Sequence, residues 1–217
     1  MPGCAKKMFT REIEFESIGG SVEVNQEVEG DVGCVVWDAA IVLAKYLEVR
    51  EKGKRKLLQG SSVVELGAGT GCVGLAAALL GASHVTLTDL PELLPLLEIN
   101  RVQNKSNISG VLEVQQLIWG DTQQIQTIKI PDVILLADCI YYKESLEPLV
   151  STVRSLSTTT STTIMSYEQR TDGNKPELQR RFFELMGENF TKRQIPEEEH
   201  HETYRSDDIS IFEFKKR

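Results

Sequence analysis

Hydrophobic and polar positions divide the chain into two regimes. Near the start they alternate with period two. Ile13 and Phe15 stand between Glu12, Glu14 and Glu16, and Val22 and Val24 flank Glu23. Gly19-Gly20 lies between the two runs, so the stretch reads as a β-hairpin. Beyond 33–38 the spacing changes. Ile41, Ala44 and Tyr46-Leu47 fall near a helical period, and Asp38 is expected to cap that helix. Residues 51–56 are charged and are expected to form a solvated loop.

From Ser62 onward, short apolar strands alternate with helices. Strands are expected over 63–66, 85–88, 111–117, 133–137, 162–167, 190–195 and 209–214. Helices are expected over 72–80, 93–102, 145–156 and 176–186, the last with Pro176 in its first turn. Repeated βα units give an α/β fold with a mostly parallel sheet and helices on both faces. No helix separates the last two strands, so an antiparallel pairing is expected there. The 217 residues suit one such domain, over 51–217, with the hairpin and first helix of 1–50 packed on it.

Charge and cysteine usage narrow the function classes. Lys+Arg 24 against Asp+Glu 32 leaves a net charge of −8, which disfavours tracking of a nucleic-acid backbone. The same balance suits a basic protein partner. Cys4, Cys34, Cys72 and Cys139 form no C-x-x-C pair, so neither a zinc knuckle nor a redox dithiol is signalled. The longest apolar run, 72–82, is well short of the roughly 20 residues of a membrane helix. No apolar stretch follows the first residues, so no secretory leader is expected, and cytoplasmic or nuclear residence is. His84, His200 and His201 lack ligand-spaced partners. They are expected at the surface, and no metal is assigned.

The chemistry concentrates at two strand ends. Glu65-Leu66-Gly67-Ala68-Gly69-Thr70-Gly71 runs from a strand through a glycine loop into a helix. Glycines admit close backbone approach to a ligand, and the helix start offers free N–H groups. Asp89, twenty residues beyond Gly69, ends the next strand, where an acid can accept ribose hydroxyls. Together they read as an adenosine-type cofactor site. Gly69-Thr70-Gly71-Cys72-Val73-Gly74 also satisfies the dinucleotide fingerprint G-x-G-x-x-G, but that match leaves Glu65 and Gly67 unexplained. The second signal is Asp138-Cys139-Ile140-Tyr141, a D-x-x-Y pattern at the end of the fourth strand. A carboxylate and a phenol there would sit over the reactive end of a cofactor.

Residues 65–71, Asp89, Leu117-Ile118-Trp119-Gly120 and 137–141 together resemble the seven-β-strand S-adenosylmethionine-dependent methyltransferases that modify lysines of non-histone proteins. Segments 33–40, 138–148, Tyr167-Glu168-Gln169-Arg170 and 204–208 extend the resemblance over about residues 10–215. It implies a Rossmann-like seven-stranded sheet with an antiparallel last strand, and S-adenosylmethionine as cofactor. It also implies that Trp37, Glu65, Gly67, Ala68, Gly69, Asp89, Trp119 and Ala137 contact the cofactor, with Trp119 beside the adenine and Asp89 on the ribose. Asp138 and Tyr141 would then be the catalytic pair that receives the target lysine. The resemblance implies a protein substrate, with the hexameric AAA ATPase valosin-containing protein the expected partner, methylation up to trimethyl-lysine, and a monomeric enzyme. A methyltransferase for small molecules or other side chains, and a non-catalytic binding module of the same fold, remain the alternatives at this stage. Glu197-Glu198-Glu199 and Asp207-Asp208 would meet a basic rim on a protein target.

Overall fold

In the computed structural model, residues 7–30, 32–53 and 56–217 are described. Cys4, the first residues and part of the expected charged loop lie outside them. β1 (Met8–Phe15) and β2 (Gly20–Glu27) pair antiparallel, with Ile13 opposite Val22 and Phe15 opposite Gly20. The period-two alternation buries Ile13, Phe15, Val22 and Val24 on one face.

α1 (Asp38–Lys52) corrects two expectations. Trp37, not Asp38, occupies the N-cap position, and no side chain caps it. Asp38 is the first helical residue, where its charge favours the helix dipole. The helix also runs through Glu51, which is buried rather than part of a solvated loop. Its carboxylate accepts the N–H groups of Leu57 (2.6 Å) and Leu58 (2.8 Å), satisfying the donors of the turn before the first sheet strand.

The main sheet has seven strands. They are β3 (Ser62–Leu66), β4 (His84–Asp89), β5 (Val111–Gln116), β6 (Val133–Ala137), β7 (Thr162–Glu168), β8 (Phe190–Gln194) and β9 (Ile209–Lys216). Their order is β5-β4-β3-β6-β7-β9-β8, and β9 runs antiparallel to both its neighbours. The expected α/β architecture is therefore present. The interleaved helices are α2 (Cys72–Leu79), α3 (Leu94–Asn104), α4 (Thr122–Thr127), α5 (Leu146–Leu156) and α6 (Lys175–Gly187). α1, α2, the hairpin and part of α3 share one apolar cluster. α5, α6 and Ile125 of α4 pack the opposite face. The short α4 has no periodic apolar signal. Asp121 starts it by accepting the N–H groups of Gln123 and Gln124 at 2.9 and 3.1 Å.

His200 and His201 are buried, not on the surface as expected. His200 Nε2 lies 3.2 Å from the Ile195 carbonyl and its ring meets Tyr46 edge-on. His201 Nδ1 accepts from the Thr203 and Tyr204 backbone. The His200 ring fastens the β8–β9 connection onto α1, the His201 ring braces the connection internally, and burial pulls both below the usual histidine range.

The strand order reverses between β3 and β6. β3 leads outward through β4 and β5, whereas β6 opens the other half of the sheet. Ligands of open α/β sheets bind beyond the carboxyl ends of strands at such a switch point. The glycine loop follows β3 and Asp138 follows β6, so the topology brings the two sequence signals to one place.

Candidate active site

A cavity of about 610 Å³ opens at this switch point, within the size range of small-molecule sites. Its floor is the loop after β3. Gly67 and Gly69 both have left-handed backbones, with φ of +61° and +56°. A Cβ on Gly69 would stand 2.8 Å from the Gly33 carbonyl oxygen, and one on Gly67 would stand 2.8 Å from the Trp119 ring. Glycine is required at both positions by conformation and by space.

Two acids hold this loop from below. Asp89, at the end of β4, accepts the Gly69 N–H at 2.6 Å through one oxygen and the Leu90 N–H at 2.7 Å through the other. Each oxygen keeps a further lone pair for a ligand hydroxyl. Burial raises its carboxyl above the usual range, and the two N–H donors oppose that rise. Glu65 is buried within β3, and its carboxylate accepts the Gly74 N–H of α2 at 2.8 Å. Burial pushes its carboxyl up to about 8. Glu65 thus ties strand to helix beneath the loop as well as lining the cavity. Ala68 is fixed by its N–H to the Thr88 carbonyl at 3.0 Å.

Trp37 lines one wall, 42 % exposed, with its ring N–H donating to the Val32 carbonyl at 2.8 Å. Ala137 lines the cavity at the end of β6. Trp119 stands apart. Its ring packs behind Gly67 and against the apolar cluster of the α5–α6 face, and it is not among the cavity-lining residues. It shapes the loop from the rear.

The other end of the cavity carries the D-x-x-Y residues. Asp138 is the one non-glycine residue among those described with a left-handed backbone, at φ +54°. Strain of this kind is held in place by surrounding bonds. The Asp138 N–H donates to the Ser166 carbonyl at 3.0 Å. Its carboxylate is 6 % exposed and receives both arms of Arg170: Nη1 donates at 3.1 Å and Nη2 at 2.6 Å. Nη2 also donates to Glu168 at 2.7 Å, and the guanidinium lies 5.8 Å from the centre of the Trp37 ring. Asp138 caps no helix, since α5 begins only at Leu146. Tyr141 lines the cavity and meets Tyr142 edge-on at 4.8 Å. The Lys175 ammonium donates to the Tyr141 carbonyl at 3.1 Å.

Sequence reasoning missed Arg170 as the partner of Asp138. Its only trace was the Tyr167–Arg170 segment, which drew notice through resemblance and not through chemistry. The two residues lie 32 positions apart and meet because β6 and β7 are parallel neighbours.

These residues fit an adenosine-bearing, cationic cofactor. The glycine cradle leaves no room for a side chain, Asp89 retains acceptor capacity for hydroxyls, and the cavity is lined by several carboxylates. Comparison with known proteins agrees. A family described as lysine methyltransferase matches residues 19–189. Protein N-lysine methyltransferase METTL21A of Xenopus tropicalis is 37 % identical over 189 residues, covering 86 % of this chain and 82 % of its own. EEF1A lysine methyltransferase 3 of the same species is 36 % identical over 154 residues, covering 68 % of this chain and 64 % of its own. A crystal structure of a TehB-like SAM-dependent methyltransferase from Corynebacterium glutamicum shares the fold, with a TM-score of 0.56 at 12 % identity over 85 % of this chain and 90 % of that one. On a family match over most of its length, and with relatives above 30 % identity, this chain belongs to the lysine methyltransferase family.

Proposed function

We propose that the chain methylates a lysine side chain of the AAA ATPase valosin-containing protein, up to the trimethylated state. S-adenosylmethionine is the cofactor, and its sulfonium supplies an already activated methyl group. The protein therefore chiefly positions and orients. The observation that carries this reading is the convergence of the glycine cradle and Asp138–Tyr141 on one cavity.

Gly67, Ala68 and Gly69 would receive the cofactor, with Asp89 on the ribose hydroxyls. Trp37 and Ala137 would line its remaining path, and Glu65 would hold the loop from below. Asp138 and Tyr141 would stand where the target amine enters. A lysine at its reference pKa of about 10.4 leaves roughly one amine in 10³ neutral at pH 7. Its ammonium must lose a proton to water before its lone pair can form the new N–C bond. In-line transfer would form that bond as the methyl group leaves the sulfonium, whose electron pair would stay on sulfur. The edge-on Tyr141–Tyr142 pair offers an aromatic wall to a methylated ammonium, a contact worth roughly 0.5–2 kcal/mol. Such a wall lets mono- and dimethyl-lysine remain substrates.

The test is to incubate the purified protein with labelled S-adenosylmethionine and either purified valosin-containing protein or a whole-cell extract. Labelled peptides are then identified by mass spectrometry. Mono-, di- and trimethyl-lysine on the ATPase are expected. Label confined to other proteins would remove this substrate and leave lysine transfer standing.

A further inference from the structure

A carboxylate beside a lysine amine holds it as the ammonium, which opposes the proton loss that transfer requires. Asp138 stands at the position where this conflict would be worst, yet it does not stand alone. Both its oxygens are taken by Arg170, at 3.1 and 2.6 Å, in the two-point geometry that suits a guanidinium and a carboxylate. Arg170 is itself fixed from other sides, by Glu168 at 2.7 Å and by the face of Trp37. The side chains are 20 % and 6 % exposed, so water weakens the pair little.

We propose that Arg170 is a positioning residue for methyl transfer: it occupies the charge of Asp138, so that the carboxylate accepts an N–H from a neutral lysine amine but does not hold the ammonium. The inference rests on the lysine-transfer reading given above. A carboxylate has about four lone-pair positions, so two remain after Arg170 has taken its pair. One of them is approached, at 3.4 Å, by the Glu168 N–H. The left-handed backbone of Asp138 turns its side chain toward both the cavity and Arg170.

The other groups facing this end come from three elements. Glu168 and Asp172 follow from β7, with the Tyr167 phenol buried beneath them, and its ionisation is pushed up by burial and then by Asp138. Lys175 opens α6 and is engaged with the Tyr141 carbonyl. Tyr141 and Tyr142 follow β6. Lys175 is thus the one other cation lining this end among the described residues, and it is directed to a backbone oxygen, not to Asp138. Without Arg170, Asp138 would have the incoming ammonium as its natural partner.

The test is the pH dependence of kcat for the wild type, Arg170→Gln and Arg170→Lys, with cofactor affinity measured on each by titration. For Arg170→Gln, the rising limb of the profile is expected to move up by about one pH unit or more, the scale on which one close opposite charge shifts an amine. Activity at pH 7 is expected to fall about tenfold and the deficit to close only as pH approaches the raised limb of the variant, with cofactor Kd within about twofold. Arg170→Lys keeps a cation with a single point of contact and is expected to shift less. It serves as the deciding variant should Arg170→Gln lose cofactor binding or fold poorly. A uniform loss with an unmoved profile in both variants would reduce Arg170 to a structural strut and overturn the proposal. Activity at pH 7 equal to or above the wild type would overturn it too, by showing that the guanidinium blocks the amine. Absence of lysine transfer by the wild type at any pH would instead overturn the reading on which the proposal rests.

Discussion

Gly69, like Gly67, is constrained by conformation and contact together, and at Gly69 the contact is with backbone. Ala there would have to hold φ near +56° with its Cβ 2.8 Å from the Gly33 carbonyl. Strain of that kind is worth about 1–3 kcal/mol. Gly69→Ala is expected to lower the melting temperature by a few degrees and to weaken cofactor binding more than tenfold, read by titration calorimetry. Near-normal affinity would show that the loop does not cradle the cofactor. Glu65 makes a separate statement about pH. Its carboxyl is raised from 4.5 to about 8, so the folded state binds the proton more tightly than the unfolded chain. That contribution is complete below about 4.5 and is lost as pH rises toward 8. His200 and His201 are lowered by burial and act with the opposite sign. The difference between wild type and Glu65→Gln isolates the carboxyl. In urea melts from pH 5.5 to 8.5, the variant is expected to gain on the wild type as pH rises, by an amount on the order of a few kcal/mol. Parallel curves would contradict a raised Glu65 carboxyl in the folded state. Glycines and acids at strand ends were legible because their spacing is local. Arg170 was not, since its pairing with Asp138 exists only once β6 and β7 lie side by side.

At the scale of elements, the hairpin is held by a buried ion pair rather than by apolar contact alone. Lys45 and Glu48 of α1 are both almost fully buried and paired with each other. Lys45 donates to the Glu14 carbonyl at 2.9 Å, and Glu48 accepts the Ser17 N–H at 2.7 Å. Breaking such a pair leaves a buried charge, at a cost of about 3–5 kcal/mol. Lys45→Met is expected to lose that much in chemical denaturation, and Lys45→Met with Glu48→Leu is expected to recover most of it. Equal losses in the two variants would mean that the hairpin gains nothing from the pair. The pattern of the sequence marked α1 as a helix but could not show that a lysine and a glutamate lie inside it. Apolar periodicity carries no information about a charged pair satisfied within the core. The strands were legible almost to the residue, because period-two and continuous apolar runs are local signals. α4 was invisible, since six residues with Ile125 alone buried leave no period to read.

Over the whole molecule, the parallel strands deliver the glycine loop, Asp89, Ala137, Asp138 and Tyr141 to one end of the sheet, where Trp37 joins them from the start of α1. The same end continues past Gln169 into a second cavity of about 550 Å³, whose walls include Glu197, Glu198 and Asp207. Glu199 is engaged by Arg193, while Glu197 and Glu198 are exposed, as are Glu202, Asp207 and Asp208 further along the β8–β9 connection. These acids are expected to meet any basic face of a protein target that docks on this loop. Glu197→Lys with Glu198→Lys is expected to slow methylation of the intact protein target several-fold in kcat/KM at unchanged cofactor affinity. An unchanged rate would leave the loop as solvated surface. The fold class was readable from the alternation of strands and helices, whereas this shared end depends on the order of seven strands and could not be read from any one segment. The site would divide into a cofactor end on the glycine loop and a transfer end at Asp138. The most direct measurement takes one preparation each of wild type and Asp138→Ala and determines both S-adenosylmethionine affinity and methyl transfer to protein lysine. Affinity is expected to stay within about twofold and transfer to fall by at least about 10²-fold, the scale of a residue acting on the reacting group. Undiminished transfer by Asp138→Ala would contradict this division.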